Sequence, residues 1–426
     1  MKKLILSLAL IISLVSASFA ESIFAHRFFE IKVDVPVSVS NNIIGLTDVL
    51  QKEVVIDLPK IADGLPETGA SLRADVAPTV SIGVDIPRGL ILGVNLGVDV
   101  SAGVGLSKDI FEFLGHGNEG KSSSFTQKTS NTFADVFAVA ALDGGWNTKN
   151  SKLKITGSAF SALAHFDAGD TYVKVYSQEN KSGVQAKVDA KLYSLIDYSK
   201  GFDDWQAILA NMTQNMGFDL GVSYQRDIFR FLTVGGNLRM PLKPSTLNML
   251  SSVSTEYGYE LNLDKMLGSK EETEEPEEQE ENLDDPVEEE SKNDGQIIKQ
   301  AQVLSTPYMI NRPLKIGVSG SFHPFGSLLT TTGYAGIGVR HPFARDTAET
   351  HVYFDYAVSG RLSLWNILSL ELSHEYMDEI FKNQVSVAFN IRLVEVDAGV
   401  SLQSTSFAQS FTGAGLGAFV TVCVGL

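Results

Sequence analysis

The stretch from Leu92 to Val104 reads LGVNLGVDVSAGV, and its pattern decides the fold. Successive side chains of a β-strand point to opposite faces. Apolar residues fall on one face and glycine or polar residues on the other, which is the two-residue period of a strand. The apolar face contains Leu92, Val94, Leu96, Val98, Val100 and Val104, and the opposite face contains Gly93, Asn95, Gly97, Asp99, Ser101 and Gly103.

The same alternation recurs along the whole chain. It is clearest at 31–39, 80–86, 314–322 and 368–376. Weaker strands are predicted near 132–142, 152–162, 170–177, 184–197, 217–225, 230–240, 329–340 and 350–359. The chain is therefore predicted to be all-β.

Alternation alone fits a water-soluble β-sandwich as well as a membrane barrel. Three features favour the barrel. The polar faces are rich in Gly and Ser rather than Lys and Glu, Tyr and Phe gather near strand ends as interfacial girdles do, and the chain ends in an alternating strand. We therefore expect a transmembrane antiparallel β-barrel of about 14–16 strands, with short helices in its loops near 107–115 and 202–212.

The spacing of the predicted strands assigns their connections to two sides. Short connections are expected at 226–229, 323–327 and 360–362, and long ones at 41–74, 107–131, 199–216 and 241–312. Short turns are typical of the periplasmic end of such barrels and long loops of the outer end. This assignment gives 16 strands. Leu393–Val394 lacks the residues that favour a tight turn, so a bulge there and a count of 14 stay open.

The first twenty residues resemble a secretory signal. Lys2 and Lys3 precede an apolar run from Leu4 to Val15, and Ser18-Phe19-Ala20 forms a small-x-small cleavage site. We expect residues 1–20 to be a signal peptide and 21–426 the barrel. No later apolar run reaches the roughly 18 residues that a membrane-spanning helix needs.

The charge of the chain is concentrated in one segment. The formal net charge is −17, and 13 acidic residues lie between Glu271 and Glu290. A segment of such polar composition cannot bury enough apolar surface to fold. Residues 267–300 are therefore predicted to be a disordered extracellular loop. Its simplest role is that of a solvated spacer. The acidic balance also argues against a nucleic-acid partner.

The sequence offers no sign of catalysis. The seven histidines form no H-x-x-x-H pair and no G-x-S-x-G motif occurs. We expect neither an enzyme nor a bound cofactor. The expected partners are the outer-membrane bilayer and the barrel-assembly machinery, which would read the terminal strand through Val420, Val422, Val424 and Leu426.

Charged residues on the polar strand faces are the candidate site residues, because a wide, water-filled lumen lets them ionise at little cost. They would line the lumen, either bracing its wall or setting a weak ion preference. The candidates are Asp99, Arg239, Lys315, Glu371, Arg392, Glu395 and Asp397.

The segments NNIIGLTDVLQKEVVIDL (41–58) and LSKDIFEFLGHGN (106–118) resemble the front half of an uncharacterised barrel family of spirochaetes and Bacteroidetes. That family is distantly similar to FadL-type fatty-acid transporters. The resemblance covers about residues 25–240 and carries over no binding residue. It implies a bacterial outer-membrane barrel for passive transport of small molecules, hydrophobic ones included. The alternative is a closed structural or surface-display barrel, such as an adhesin, without transport activity.

Overall fold

The computed structural model describes most of the chain after the predicted signal peptide. The described residues are 27–43, 45, 57–67, 69–116, 125–128, 132–169, 171–178, 181–197, 205–262, 297–340, 342, 350–365, 367–391, 393–413 and 415–426. The predicted signal peptide lies outside them, and so does the part of the predicted acidic loop before residue 297.

Fourteen antiparallel positions form a closed wall. The wall strands are β1 (Phe29–Asn41), β2 (Ala70–Val76), β3 (Thr79–Asp85), β4 (Leu90–Leu106), β6 (Phe133–Asn147), β7 (Ser151–Asp167), β10 (Gly217–Phe229), β11 (Leu232–Lys243), β14 (Leu314–Phe322), β15 (Leu329–Arg340), β16 (His351–Leu364), β17 (Leu368–Met377), β18 (Ile380–Asn390), β19 (Val394–Ser404) and β20 (Gly415–Gly425). They follow one another around the wall in that order, and β20 pairs with β1 from Glu30↔Gly425 to Val39↔Leu416. The predicted antiparallel barrel is confirmed.

β2 and β3 together fill one position of the wall. Both pair with β1 on one side and with β4 on the other. They are separated by Ala77 and Pro78, and a proline has no backbone N–H to donate to a neighbouring strand. Ala77 N still donates to Pro36 O (3.2 Å) and Val98 N to Pro78 O (3.1 Å), so the sheet continues across the break.

Five further strands lie outside the wall: β5 (Phe125–Lys128), β8 (Tyr172–Gln178), β9 (Lys181–Ser194), β12 (Ser245–Asn262) and β13 (Ile297–Ile310). They pair with one another in the order β5, β8, β9, β12, β13. Only the last residues of β9 also pair with the wall, through β7. The predicted range of about 14–16 strands is confirmed at its lower bound. The count of 16 had included β8 and β9, which are not wall strands.

Six tight turns lie at one end of the barrel, whereas the two-residue turn at Asp378–Glu379 lies at the other end. The six fall at 86–89, 148–150, 230–231, 323–328, 365–367 and 391–393. Leu426 N donates to Phe29 O (2.9 Å) at the same end. The predicted turn at 360–362 is wrong, since those residues continue β16. The bulge considered at Leu393–Val394 is also wrong, because Ile391 N donates to Val394 O (2.9 Å) and closes a tight turn.

The apolar face of the wall points outward. On β4, Leu92 is 50% and Leu96 55% exposed. Their neighbours face the interior, where Asn95 Nδ2 donates to Asp143 Oδ2 (2.8 Å). An apolar band facing outward is what a bilayer requires of a barrel.

Among the described residues, three short helices occupy the long loops, and the second and third match the helices predicted near 107–115 and 202–212. They are α1 (Leu58–Gly64), α2 (Lys108–His116) and α3 (Trp205–Gln214). Asp57 caps α1 by accepting from Lys60 N (3.1 Å). Phe111 of α2 packs against Ala62 and Leu65, so α1 and α2 cover the loop end together. None of these helices is long enough to cross a membrane.

Candidate transport pathway

Buried charges fill the interior near the tight-turn end. Arg361 Nη2 lies 2.6 Å from Glu371 Oε2 and 3.5 Å from Asp397 Oδ2. Arg27 Nη1 lies 3.4 Å from Glu395 Oε2. The structure thus gathers three of the predicted lumen residues, Glu371, Glu395 and Asp397, around two arginines. Arg361 and Glu371 are register partners on the adjacent strands β16 and β17, whereas Asp397 lies on β19.

A cavity of about 610 Å³ adjoins these charges. Lys152 and Lys154 line it opposite Asp85 and Asp143, and their ammonium groups lie 3.1 and 3.6 Å from those carboxylates. Both signs of charge are therefore present along its wall. The cavity is large enough for a small molecule.

A second charged layer lies nearer the loop end. Arg312 Nη1 donates to Asp219 Oδ2 (3.1 Å) and its Nη2 lies 4.0 Å from Asp99 Oδ2. Arg239 Nε donates to Pro313 O (3.1 Å), and its charge also acts on Asp99 and Asp219. Two predicted lumen residues, Asp99 and Arg239, therefore belong to one cluster.

Lys315, another predicted lumen residue, holds the turn between β17 and β18. Its Nζ donates to Asp378 Oδ1 and Oδ2 (3.0 and 2.9 Å) and lies 3.4 Å from Asp355 Oδ2. Tyr353 lies beneath this group, with its ring 5.4 Å from the Lys315 ammonium. The seventh candidate, Arg392, lies outside the described residues.

An apolar cluster occupies the interior at the loop end. Phe137 is the register partner of Asp99, so its side chain is on the inward face. Phe160 meets it edge to face, with ring centroids 5.9 Å apart. The buried members of this mouth cluster are Phe137, Phe160, Ala162, Leu195, Leu247 and Ile310. They come from the wall and from the outer strands, so the cluster also joins the two.

An aromatic stack borders the mouth cluster. Tyr308 lies 4.9 Å from His165 and 4.2 Å from Tyr193, measured between ring centroids. His165 Nδ1 is 2.6 Å from Asp135 Oδ1, and its Nε2 is 3.2 Å from the Tyr308 hydroxyl. Planar, apolar faces with polar edges therefore lie beside the mouth cluster.

Sequence reasoning missed several of these residues. Arg361 was assigned to a turn, Arg312 to the end of a long loop and Asp219 to no site. Asp378 stands between two clear strands, so its position in a turn could be predicted. That the turn reaches into the lumen could not, because its partners lie on distant strands.

The strand pairing defines this chain as a transmembrane β-barrel of the outer-membrane type. No protein-family model matches the chain, and no curated protein does either. Among solved structures it is similar to the toluene transporter TbuX of Ralstonia pickettii, with 9% identity over 95% of this chain and 91% of that one and a TM-score of 0.43.

The toluene transporter TodX of P. putida is similar to the same extent, with 9% identity over 95% of this chain and 91% of that one and a TM-score of 0.44. The translocator domain of the autotransporter NalP from Neisseria meningitidis matches at 8% identity over 94% and 90%, with a TM-score of 0.35. The fold assignment here rests on the strand pairing of this chain itself.

Proposed function

We propose that this protein lies in the outer membrane of a bacterium and lets small hydrophobic molecules pass by passive transport. The mouth cluster carries the proposal. A general porin has a polar, water-filled interior, whereas six apolar residues are buried together inside the loop end of this barrel. Apolar surface with a few polar groups is the usual lining of a site for small hydrophobic ligands.

The layers of the interior suggest an order of events. A hydrophobic solute would first leave water for the mouth cluster and the Tyr193–Tyr308 stack. It would then meet the two charged layers, where unpaired charges are costly to desolvate but the pairs of Arg312 with Asp219 and Arg361 with Glu371 are already neutralised. The predicted lumen residues, Asp99, Arg239, Lys315, Glu371, Glu395 and Asp397, would act here through charge pairs and hydrogen bonds along the inner wall and not by catalysis.

Entry of 1-N-phenylnaphthylamine into intact diderm cells tests this proposal, because lipopolysaccharide normally excludes this fluorescent apolar probe. Cells that produce the barrel are expected to take it up faster than cells that produce an unrelated barrel. Liposome swelling with a disaccharide should show little permeation. No acceleration of probe entry, with the barrel folded in the membrane, would contradict the proposal.

A pair of methionine variants makes the test specific to the mouth. Met212 packs against the mouth cluster, whereas Met309 is 44% exposed and is not part of it. Met212→Gln adds an amide there at similar volume, so we expect slower probe entry. Met309→Gln should leave the entry rate unchanged.

A closed structural or surface-display barrel is the second candidate, and the charge pairs that cross the interior favour it. It predicts no probe entry and no ionic conductance in planar bilayers. In either case we propose that assembly depends on the strand bearing Val420, Val422, Val424 and Leu426. Its pairing with β1, which closes the barrel, supports this role.

A further inference from the structure

The turn between β17 and β18 reaches into the lumen. Only Asp378 and Glu379 join the two strands, and we call this pair the lumen turn. The neighbouring connections at this end, between β15 and β16 and between β19 and β20, are each ten residues long. Asp378 N donates to Asp355 Oδ1 (2.8 Å) on the inward face of β16.

Contacts from both sides of the barrel hold the lumen turn. Lys315 on β14 donates to the Asp378 carboxylate, and Arg73 Nη1 on β2 donates to Asp378 O (2.6 Å). Five wall strands (β4, β6, β7, β10, β11) separate β2 from β14 on one side, and seven (β1, β15–β20) on the other. Lys315 and Arg73 thus stand on nearly opposite walls, which places Asp378 close to the barrel axis.

The second residue of the turn is held as well. Arg340 Nη1 donates to Glu379 Oε2 (3.0 Å), and His351 Nε2 lies 2.7 Å from Glu379 Oε1. Lys315, Arg340 and His351, from β14, β15 and β16, contact the two carboxylates of the turn. Arg73 on β2 contacts its backbone carbonyl, so the turn links two sides of the wall.

The backbone of the lumen turn is strained. Asp378 has φ 51° and Glu379 φ 71°, so both lie in the left-handed region. Two-residue hairpin turns with this geometry favour Asn-Gly, because residues with a Cβ pay a steric cost there. Such strain persists only where the surroundings enforce it. The surrounding cations supply that constraint, so loss of their contacts would favour another position of the turn.

We infer that the lumen turn is a gate that closes the pathway, with Lys315 and Arg73 as its two latches. This inference rests on the proposed function and names how that pathway is regulated. The closed position has Asp378 bonded to both walls. The open position has the turn withdrawn toward β17 and β18, with its carboxylates in water.

Single-channel recording in planar bilayers tests the gate through ionic conductance, which does not depend on a hydrophobic substrate. The variant Asp378→Asn with Glu379→Gly keeps a turn sequence that this geometry favours and removes both carboxylates. The two changes affect the Lys315 contact of Asp378 and the Arg340 and His351 contacts of Glu379. We therefore expect the open time to rise by more than about tenfold, which is the factor for the loss of one charged hydrogen bond. Lys243→Gln is the matched control, since the Lys243 ammonium lies over the Phe218 ring and touches neither the turn nor the cavity, and it should behave like the parent protein.

A double-mutant comparison tests the latch itself. Lys315→Gln should raise the open time alone, and Asp378→Asn should raise it alone, but the two together should add little, because each removes the same contact. Additive effects, or an unchanged open time in folded Asp378→Asn/Glu379→Gly protein, would overturn the gate. Heat-modifiable mobility of each variant reports folding, and Lys315→Gln provides a variant that leaves the turn sequence intact.

Failure of the gate and failure of the proposed function give different results. If the parent protein does not speed entry of phenylnaphthylamine, the transport proposal fails whatever the conductance shows. If it does speed entry and the turn variants conduct ions no more than the parent, the gate alone fails.

Discussion

Val98 and Asp99 are adjacent in the sequence but face different surroundings. Val98 is on the outward face of β4, and Asp99 is on the inward face near Arg312. The alternation and the expected barrel together predicted that the apolar face meets lipid. The closed wall places that face outward, as the exposure of Val98 shows.

Replacing Val98 with Arg should therefore harm assembly more than replacing Asp99 with Asn. A cation on the lipid face near mid-membrane costs about 2–4 kcal/mol, whereas lumen changes mainly affect selectivity. The folded fraction in liposomes measures both. Equal tolerance at the two positions would reverse the assignment of faces.

Arg361 is a second residue whose neighbours decide the outcome of a substitution. Its side chain is 5% exposed and faces Glu371 and Asp397. Arg361→Ala leaves two carboxylates without their cation, and breaking a buried pair in this way costs about 3–5 kcal/mol. Urea unfolding in detergent should show that loss. Arg361→Ala combined with Glu371→Gln should recover part of it, and no recovery would mean that the pair contributes little.

At the scale of strands, the sequence predicted the two-residue period correctly, but it did not predict which strands form the barrel wall. β8 and β9 alternate as wall strands do, and nothing in 172–178 or 181–194 marks them as different. Their place is decided by pairing with β12, a strand that lies within a predicted loop. Long-range pairing of this kind depends on the whole chain, so a local period cannot reveal it. The turn at Leu393–Val394 was uncertain for a local reason. Backbone hydrogen bonds close it, and it lacks the residues that usually favour a turn.

The candidate site was only partly predictable, because the local period does not reveal long-range contacts. Residues on the polar face of a clear strand, such as Lys315 and Glu371, could be assigned to the interior from the period alone. Their partners could not, because Asp378 and Arg361 lie in or near segments assigned to turns. The period predicts the direction of a side chain but not its neighbours across the lumen.

The position of β12 and β13 predicts on which side of the membrane the acidic segment lies, and intact cells can test this. Both strands leave the wall at the end opposite Leu426. Residues 271–290 should therefore be cut by a glutamate-specific protease added outside, and a chain lacking them should still fold, since they contain almost no apolar surface. Cleavage only after the outer membrane is breached would reverse the sides of the barrel.

The molecule as a whole should behave as a closed barrel. Folded protein in detergent is expected to migrate differently in electrophoresis before and after boiling, and its circular dichroism should be dominated by β-structure. The physical reason is that every wall strand has two hydrogen-bonded neighbours, so no edge is left at which unfolding can start. A helix-dominated spectrum, or identical mobility before and after boiling, would contradict the barrel.

The pairing of β1 with β20 has a consequence for how the protein is made. Glu30 pairs with Gly425, so the barrel can close only after the last strand, β20, has been made and has paired with β1. Contacts between residues so distant in sequence slow folding, because the entropy of loop closure is lost before the contact is gained. Until then the apolar outer face of each strand is exposed to water and prone to aggregate. We therefore expect the nascent chain to need periplasmic chaperones between export and membrane insertion.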